Sequence, residues 1–147
     1  MLGTRLVKLI EHKSDELSEG MAEKLRNSSR TEGYRNLSQS DLAKAAREVF
    51  SNLSDWLLTK TESDIELRYM GLGSERAKQH IPLPQVVWAI LMTKEHLLAF
   101  LRREGMVESP VQVYGELELM QLLDQFFDRA VYYAVCGYSD TAALKAA

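Results

Sequence analysis

The residues best suited to chemistry are few and widely separated. The chain has three histidines, His12, His80 and His96, and one cysteine, Cys136. Two histidines one helical turn apart would place both imidazoles on one face, as helical metal sites need, and no pair here has that spacing. Neither HExxH nor ExxH occurs, so the di-iron pattern of helical bundles is missing. Glu116, Glu118, Asp124 and Asp128 read instead as the solvated face of a helix. No catalytic residue and no metal site is expected.

Three further patterns look like binding motifs and fail on context. Gly71-Leu72-Gly73-Ser74-Glu75-Arg76 has two glycines of a dinucleotide fingerprint, but lacks the third and has no strand before it to aim a helix at a pyrophosphate. The stretch Leu37 to Ala46 opens like a helix-turn-helix, yet its apolar period runs on through Phe50 and Trp56 without a turn residue. A single histidine could hold haem in a globin-like pocket, but His96 stands beside Glu95, and His80 lies at a helix end just before Ile81-Pro82. Surface or capping roles explain both more simply. A pocket near His80, Trp88 and His96, for a small molecule or haem, remains the alternative to a domain with no cofactor.

The elements that would carry these residues are all helical. Leu2, Leu6, Leu9, Ile10, Leu17, Met21 and Leu25 recur at three- and four-residue steps and predict one amphipathic helix. Residues 29–37 are polar, contain Gly33, and predict the longest loop. Ser38 with Asp41 caps a second helix running to about Thr59, and Thr61 with Asp64 caps a third. In that third helix Gly71 and Gly73 predict a bend or a close backbone approach. Ile81-Pro82-Leu83-Pro84 breaks the chain, and Pro84 suits the first turn of a fourth helix that ends at Arg102-Arg103-Glu104-Gly105. Ser109-Pro110 opens a fifth, with two adjacent apolar stripes that predict packing on two sides. No segment alternates like a strand. The expectation is a single all-α domain over residues 1–147, a bundle of about five helices or a globin-like variant of it, with 138–147 as a tail or a stub toward an output domain.

Composition agrees and narrows the function. A chain of 147 residues can bury one core without staples, and 46% hydrophobic with 27% charged residues is the make-up of a globular protein. Lys and Arg number 18 against 21 Asp and Glu, a net charge of −3, which argues against nucleic-acid partners. The longest apolar stretch, Ile81 to Met92, falls short of the ~20 residues that span a bilayer, so no membrane partner is expected. A lone cysteine in an apolar run fits a reducing cytoplasm better than a disulfide framework.

The segment Ile65 to Leu83, with Arg76-Ala77 and the turn Ile81-Pro82-Leu83, resembles the RsbRD N-terminal domain family, RsbT co-antagonist-like input domains of stress signalling. Leu122 to Ala130 and Gly137-Tyr138 are similar to that family's final helix, so the resemblance spans roughly residues 1 to 140. It implies a helical, non-catalytic sensory or regulatory domain placed ahead of an output module, and no ligand set. The chain departs from the pattern at His80, where a small residue such as glycine is expected. Surplus apolar surface on the fifth helix then predicts a homodimer through Leu119, Leu122, Phe126, Phe127 and Tyr133.

Overall fold

The structure, a computed structural model, describes residues 4–104 and 109–146. Leu2 and Gly105, which the sequence places in the first helical stripe and at a helix stop, lie outside the described residues. Six α-helices follow one another: α1 (Thr4–His12), α2 (Ser14–Asn27), α3 (Gln39–Phe50), α4 (Glu62–Lys78), α5 (Leu83–Glu104) and α6 (Pro110–Ala146). A 3₁₀ helix, Ser29–Asn36, joins α2 to α3, and a π-helical turn, Asp55–Thr59, precedes α4. There is no strand among the described residues. The all-α expectation holds, and the count of about five helices is too low.

Each added element has a local cause. The predicted first helix kinks at Lys13 (φ −97°, ψ 16°), within the polar gap between Ile10 and Leu17 where no apolar side chain ties the stripe together. The kink keeps its ladder, since Lys13 N–H donates to Leu9 and Leu17 N–H to the Lys13 carbonyl, both at 3.0 Å. The predicted loop at 29–37 is instead the 3₁₀ helix, because polar groups anchor it. Thr31 Oγ1 donates to the Leu25 carbonyl at 2.7 Å, Gln85 Oε1 accepts from Gly33 N–H at 2.7 Å, and Tyr34 is buried. The predicted second helix stops at Phe50, where Asn52 and Ser51 side chains bond back to the Glu48 and Arg47 carbonyls. Glu11 Oε2 then accepts from both N–H and Oγ of Ser54, holding the π-helical turn against α1.

The caps match the sequence. Ser38 Oγ accepts from Asp41 N–H at 3.0 Å, and Thr61 and Asp64 form a reciprocal capping box. Ser109 Oγ accepts from Gln112 N–H at the start of α6. The core gathers Ile10, Met21, Phe50, Leu53, Leu97, Leu119 and Leu123, all nearly sealed from solvent. Against it α4 and α6 pack backbone to backbone at Gly73 and Gly137, the close approach that α4's glycines predict. α6 continues through the residues expected as a tail, where Tyr138 donates to the Ile81 carbonyl and Thr141 to Ser74 Oγ, both at 2.6 Å. No helix among the described residues is long and apolar enough to cross a membrane.

Candidate functional site

The most site-like feature lies between α2, α3, α4 and α5. A cavity of about 80 Å³ is walled by apolar side chains including Met21, Leu42, Val49, Phe50, Ile90 and Phe127. Its polar lining is Tyr34, Arg68, Tyr69, Arg76 and Thr93. A larger groove of about 730 Å³ runs outside it between α3 and α4, and Leu42, Ala45, Arg68, Leu72 and Arg76 line both spaces. Residues 68, 72 and 76 are successive fourth positions of α4, so one face of that helix supplies the boundary between cavity and groove.

The two arginines on this boundary differ in their partners. Arg68 Nη1 donates to Glu48 Oε2 at 2.6 Å and Nη2 to the Ala45 carbonyl at 2.9 Å, which ties α4 to α3. Arg76 is only 8% exposed and has no carboxylate partner among the described residues. Its Nη1 donates to Gln79 Oε1 at 2.9 Å, its guanidinium carbon stands 5.5 Å from the centre of the Tyr34 ring, and its Nε is buried without an acceptor. Burial pushes the Tyr34 phenol up, partly offset by Arg76, and burial does the same to Tyr69 against Arg68. Both phenols therefore stay neutral at ordinary pH.

The histidine and tryptophan singled out in the sequence do not converge, and none of them lines this cavity. His80 is exposed and terminates α4 with φ 60°. Trp88 is half-buried with the Arg30 guanidinium 4.5 Å above its ring. His96 is buried against α2 beside Gly20, where its Nε2–H donates to the Leu17 carbonyl at 3.0 Å and its Nδ1 accepts from Lys24 Nζ at 2.8 Å. Burial, then the Lys24 ammonium, pulls the imidazole's pKa down. A neutral ring with both nitrogens engaged is a structural link between α5 and α2. No group of three or more His, Cys, Asp or Glu able to hold a metal ion occurs among the described residues. Cys136, in the apolar run of α6, is a free and half-buried thiol.

The residues proposed for a dimer face are redistributed. Leu119, Phe126 and Phe127 are buried in the chain's own core, and Phe126 is ringed by Trp56, Tyr69 and Phe127 with ring centres within 5.9 Å. They are not available to a second copy while α6 stays packed. Leu122 and Tyr133 are half-buried, and the Tyr133 hydroxyl donates to Glu62 Oε1 at 2.7 Å. The exposed large apolar residues of α6 are Val111, Val113, Tyr114, Leu117 and Met120 near its start, with Tyr132 and Leu144 farther along. Of the four acids assigned to a solvated face, Glu118, Asp124 and Asp128 are exposed and Glu116 is half-buried. Sequence reasoning missed Arg76 because a lone arginine near a helix end reads as a dipole partner. Its place on the face shared by Leu72 and Tyr69 was the available signal.

A family model described as the RsbT co-antagonist protein rsbRD N-terminal domain matches residues 15–147. The chain belongs to the RsbRD N-terminal domain family. No curated protein matches the chain, and no solved structure does. Membership places it in a family of regulatory domains of stress signalling rather than in a known enzyme family. The matched range starts within α2 and reaches past the 1–140 of the resemblance, and it holds every residue lining the cavity and the groove of this RsbRD N-terminal domain.

Proposed function

We propose that this RsbRD N-terminal domain is a non-catalytic input domain of bacterial signal transduction, working in the cytoplasm by helix packing and self-association. The observation that carries the reading is the start of α6. Five of the ten large hydrophobic residues exposed among the described residues, Val111, Val113, Tyr114, Leu117 and Met120, fall within ten positions there. The other five, such as Leu58 and Leu144, are scattered singly along the chain. Positions 113, 117 and 120 keep helical spacing, so they form one stripe that a second copy of the same helix can cover in a two-fold pairing. This face replaces the Leu119, Phe126 and Phe127 surface expected from the sequence, whose residues already serve the core. A protein partner or output module, reached through α6, completes the reading.

Sedimentation equilibrium tests it. The wild-type chain is expected to be a dimer, and Leu117→Glu a monomer with unchanged thermal stability, because Leu117 is 57% exposed. A wild-type monomer at high concentration would rule the pairing out. A second reading, a small-molecule sensor, draws support from the cavity beside Arg76, while His96 lines a separate surface pocket with Lys24, Met92, Glu95, Ala99 and Arg102.

A further inference from the structure

We infer that the α3–α4 groove and the cavity beneath it bind a small monocarboxylate with a compact apolar body, its carboxylate held by Arg76. The site uses other residues than the α6 face, so the two ideas stand or fall separately. Arg76, a residue only 8% exposed, has no anionic partner among the described residues; its guanidinium keeps its charge, since arginine does not deprotonate in proteins, and an uncompensated buried charge is destabilising. Gln79 Oε1 and Tyr34, through its ring and its hydroxyl, are the partners of the guanidinium, and they leave the Nε donor without an acceptor. A carboxylate is the planar acceptor that a guanidinium pairs with best.

The neighbouring acids do not fill that role. Among the acids lining the groove, Glu48 is engaged by Arg68, Asp64 by the α4 cap, and Asp41, in the first turn of α3, forms no ion pair with Arg76. Glu75 precedes Arg76 directly, and adjacent helical residues do not face one another. Lys44 and Lys60 also line the groove, so its basic and acidic side chains balance and leave the selection of an anion to Arg76.

The space inward of Arg76 is walled mainly by Met21, Leu42, Val49, Phe50, Ile90 and Phe127, with Tyr34, Arg68, Tyr69 and Thr93 as its other polar lining. At about 80 Å³ it is smaller than an apolar cavity that takes benzene, so it suits roughly four carbons in addition to a head group at the boundary. A short aliphatic acid meets both demands at once: its chain leaves water for the cavity while its carboxylate stays at Arg76.

Pentanoate, pentan-1-ol and pentylamine, titrated into the wild-type chain to about 10 mM by calorimetry, separate head-group from chain recognition. Pentanoate is expected to bind at least tenfold tighter than the other two. Arg76→Met, which fills similar volume without the charge, is expected to lose that tenfold preference while still binding the alcohol. Should that variant fail to fold, methyl NMR of the wild type decides: pentanoate must shift Leu42, Val49 and Met21 together with the Arg76 Nε–H. Equal affinity for acid and alcohol, shifts confined to other residues, or no binding across the range would each overturn the inference.

Discussion

Gly73 and Gly137 face one another's helices across the tightest contact in the fold. A Cβ built on Gly73 would lie 1.9 Å from the Ala134 carbonyl oxygen, and one on Gly137 would lie 2.1 Å from that of Met70. Both obstacles are backbone, so no side-chain rotation relieves them. Gly73→Ala and Gly137→Ala are each expected to destabilise by about 3 kcal/mol or more, since the whole α4–α6 pair must move apart. Gly71 has nothing within 4 Å of its added Cβ, and Gly71→Ala should stabilise by about 0.5–1 kcal/mol through helix propensity alone. Urea unfolding followed by circular dichroism distinguishes the two. Similar effects at 71 and 73 would contradict the seam.

The glycines illustrate how far the sequence could be read. Two glycines in one helix announce a bend or a near neighbour, but only tertiary structure shows that Gly73 serves packing and Gly71 does not. Caps were legible because they are local: Thr61 with Asp64, Ser38 with Asp41 and Ser109-Pro110 each act within one turn. The 3₁₀ segment was not, because its order comes from contacts distant in sequence, such as Gln85 on Gly33. The same limit hid the candidate site. Arg76 becomes notable only when α3 and α5 close around it, and the two stripes of α6 could not be sorted until α4 occupied one side.

His80 is a residue in a glycine's place. Its N–H donates to the Ala77 carbonyl and that of Ile81 to the Arg76 carbonyl, both at 3.1 Å, the pair of bonds that closes a helix through a left-handed residue. With φ 60°, His80 carries a Cβ in a region that glycine occupies freely. His80→Gly should therefore stabilise by about 1 kcal/mol and raise the melting temperature. A loss of stability would mean that the imidazole itself makes a contact of greater value.

Glu62 joins the first turn of α4 to α6 by accepting from Tyr133 Oη and Arg129 Nε, both at 2.7 Å. The Tyr133 bond and then Arg129 hold the carboxyl below its usual range, and the same bond pushes the Tyr133 phenol up to about 12. Glu62→Gln should bring Tyr133 back toward 10.0, read as an earlier phenolate absorbance rise in an alkaline titration. An unchanged titration curve would show that the bond does not persist in solution.

His96 makes the stability of the chain depend on pH in the acid direction. Its folded pKa lies below the ordinary 6.5 of a histidine, first because the ring is buried and second because Lys24 stands against it. Above 6.5 neither the folded nor the unfolded chain holds the proton, and the packing of His96 contributes in full. As pH falls below that value, the unfolded chain takes up the proton before the folded one does. Stability is therefore lost progressively as pH drops through the depressed pKa. His96→Gln can keep one donor for the Leu17 carbonyl and one acceptor for Lys24 without titrating, so urea midpoints measured from about pH 8 to pH 5 should fall less for the variant than for the wild type. Lys24→Met removes one cause of the depression and should move the His96 titration, followed by NMR, upward toward 6.5. If the two proteins lose stability in parallel on acidification, the acid limb belongs to the carboxylates and His96 is no more than a spacer between α5 and α2.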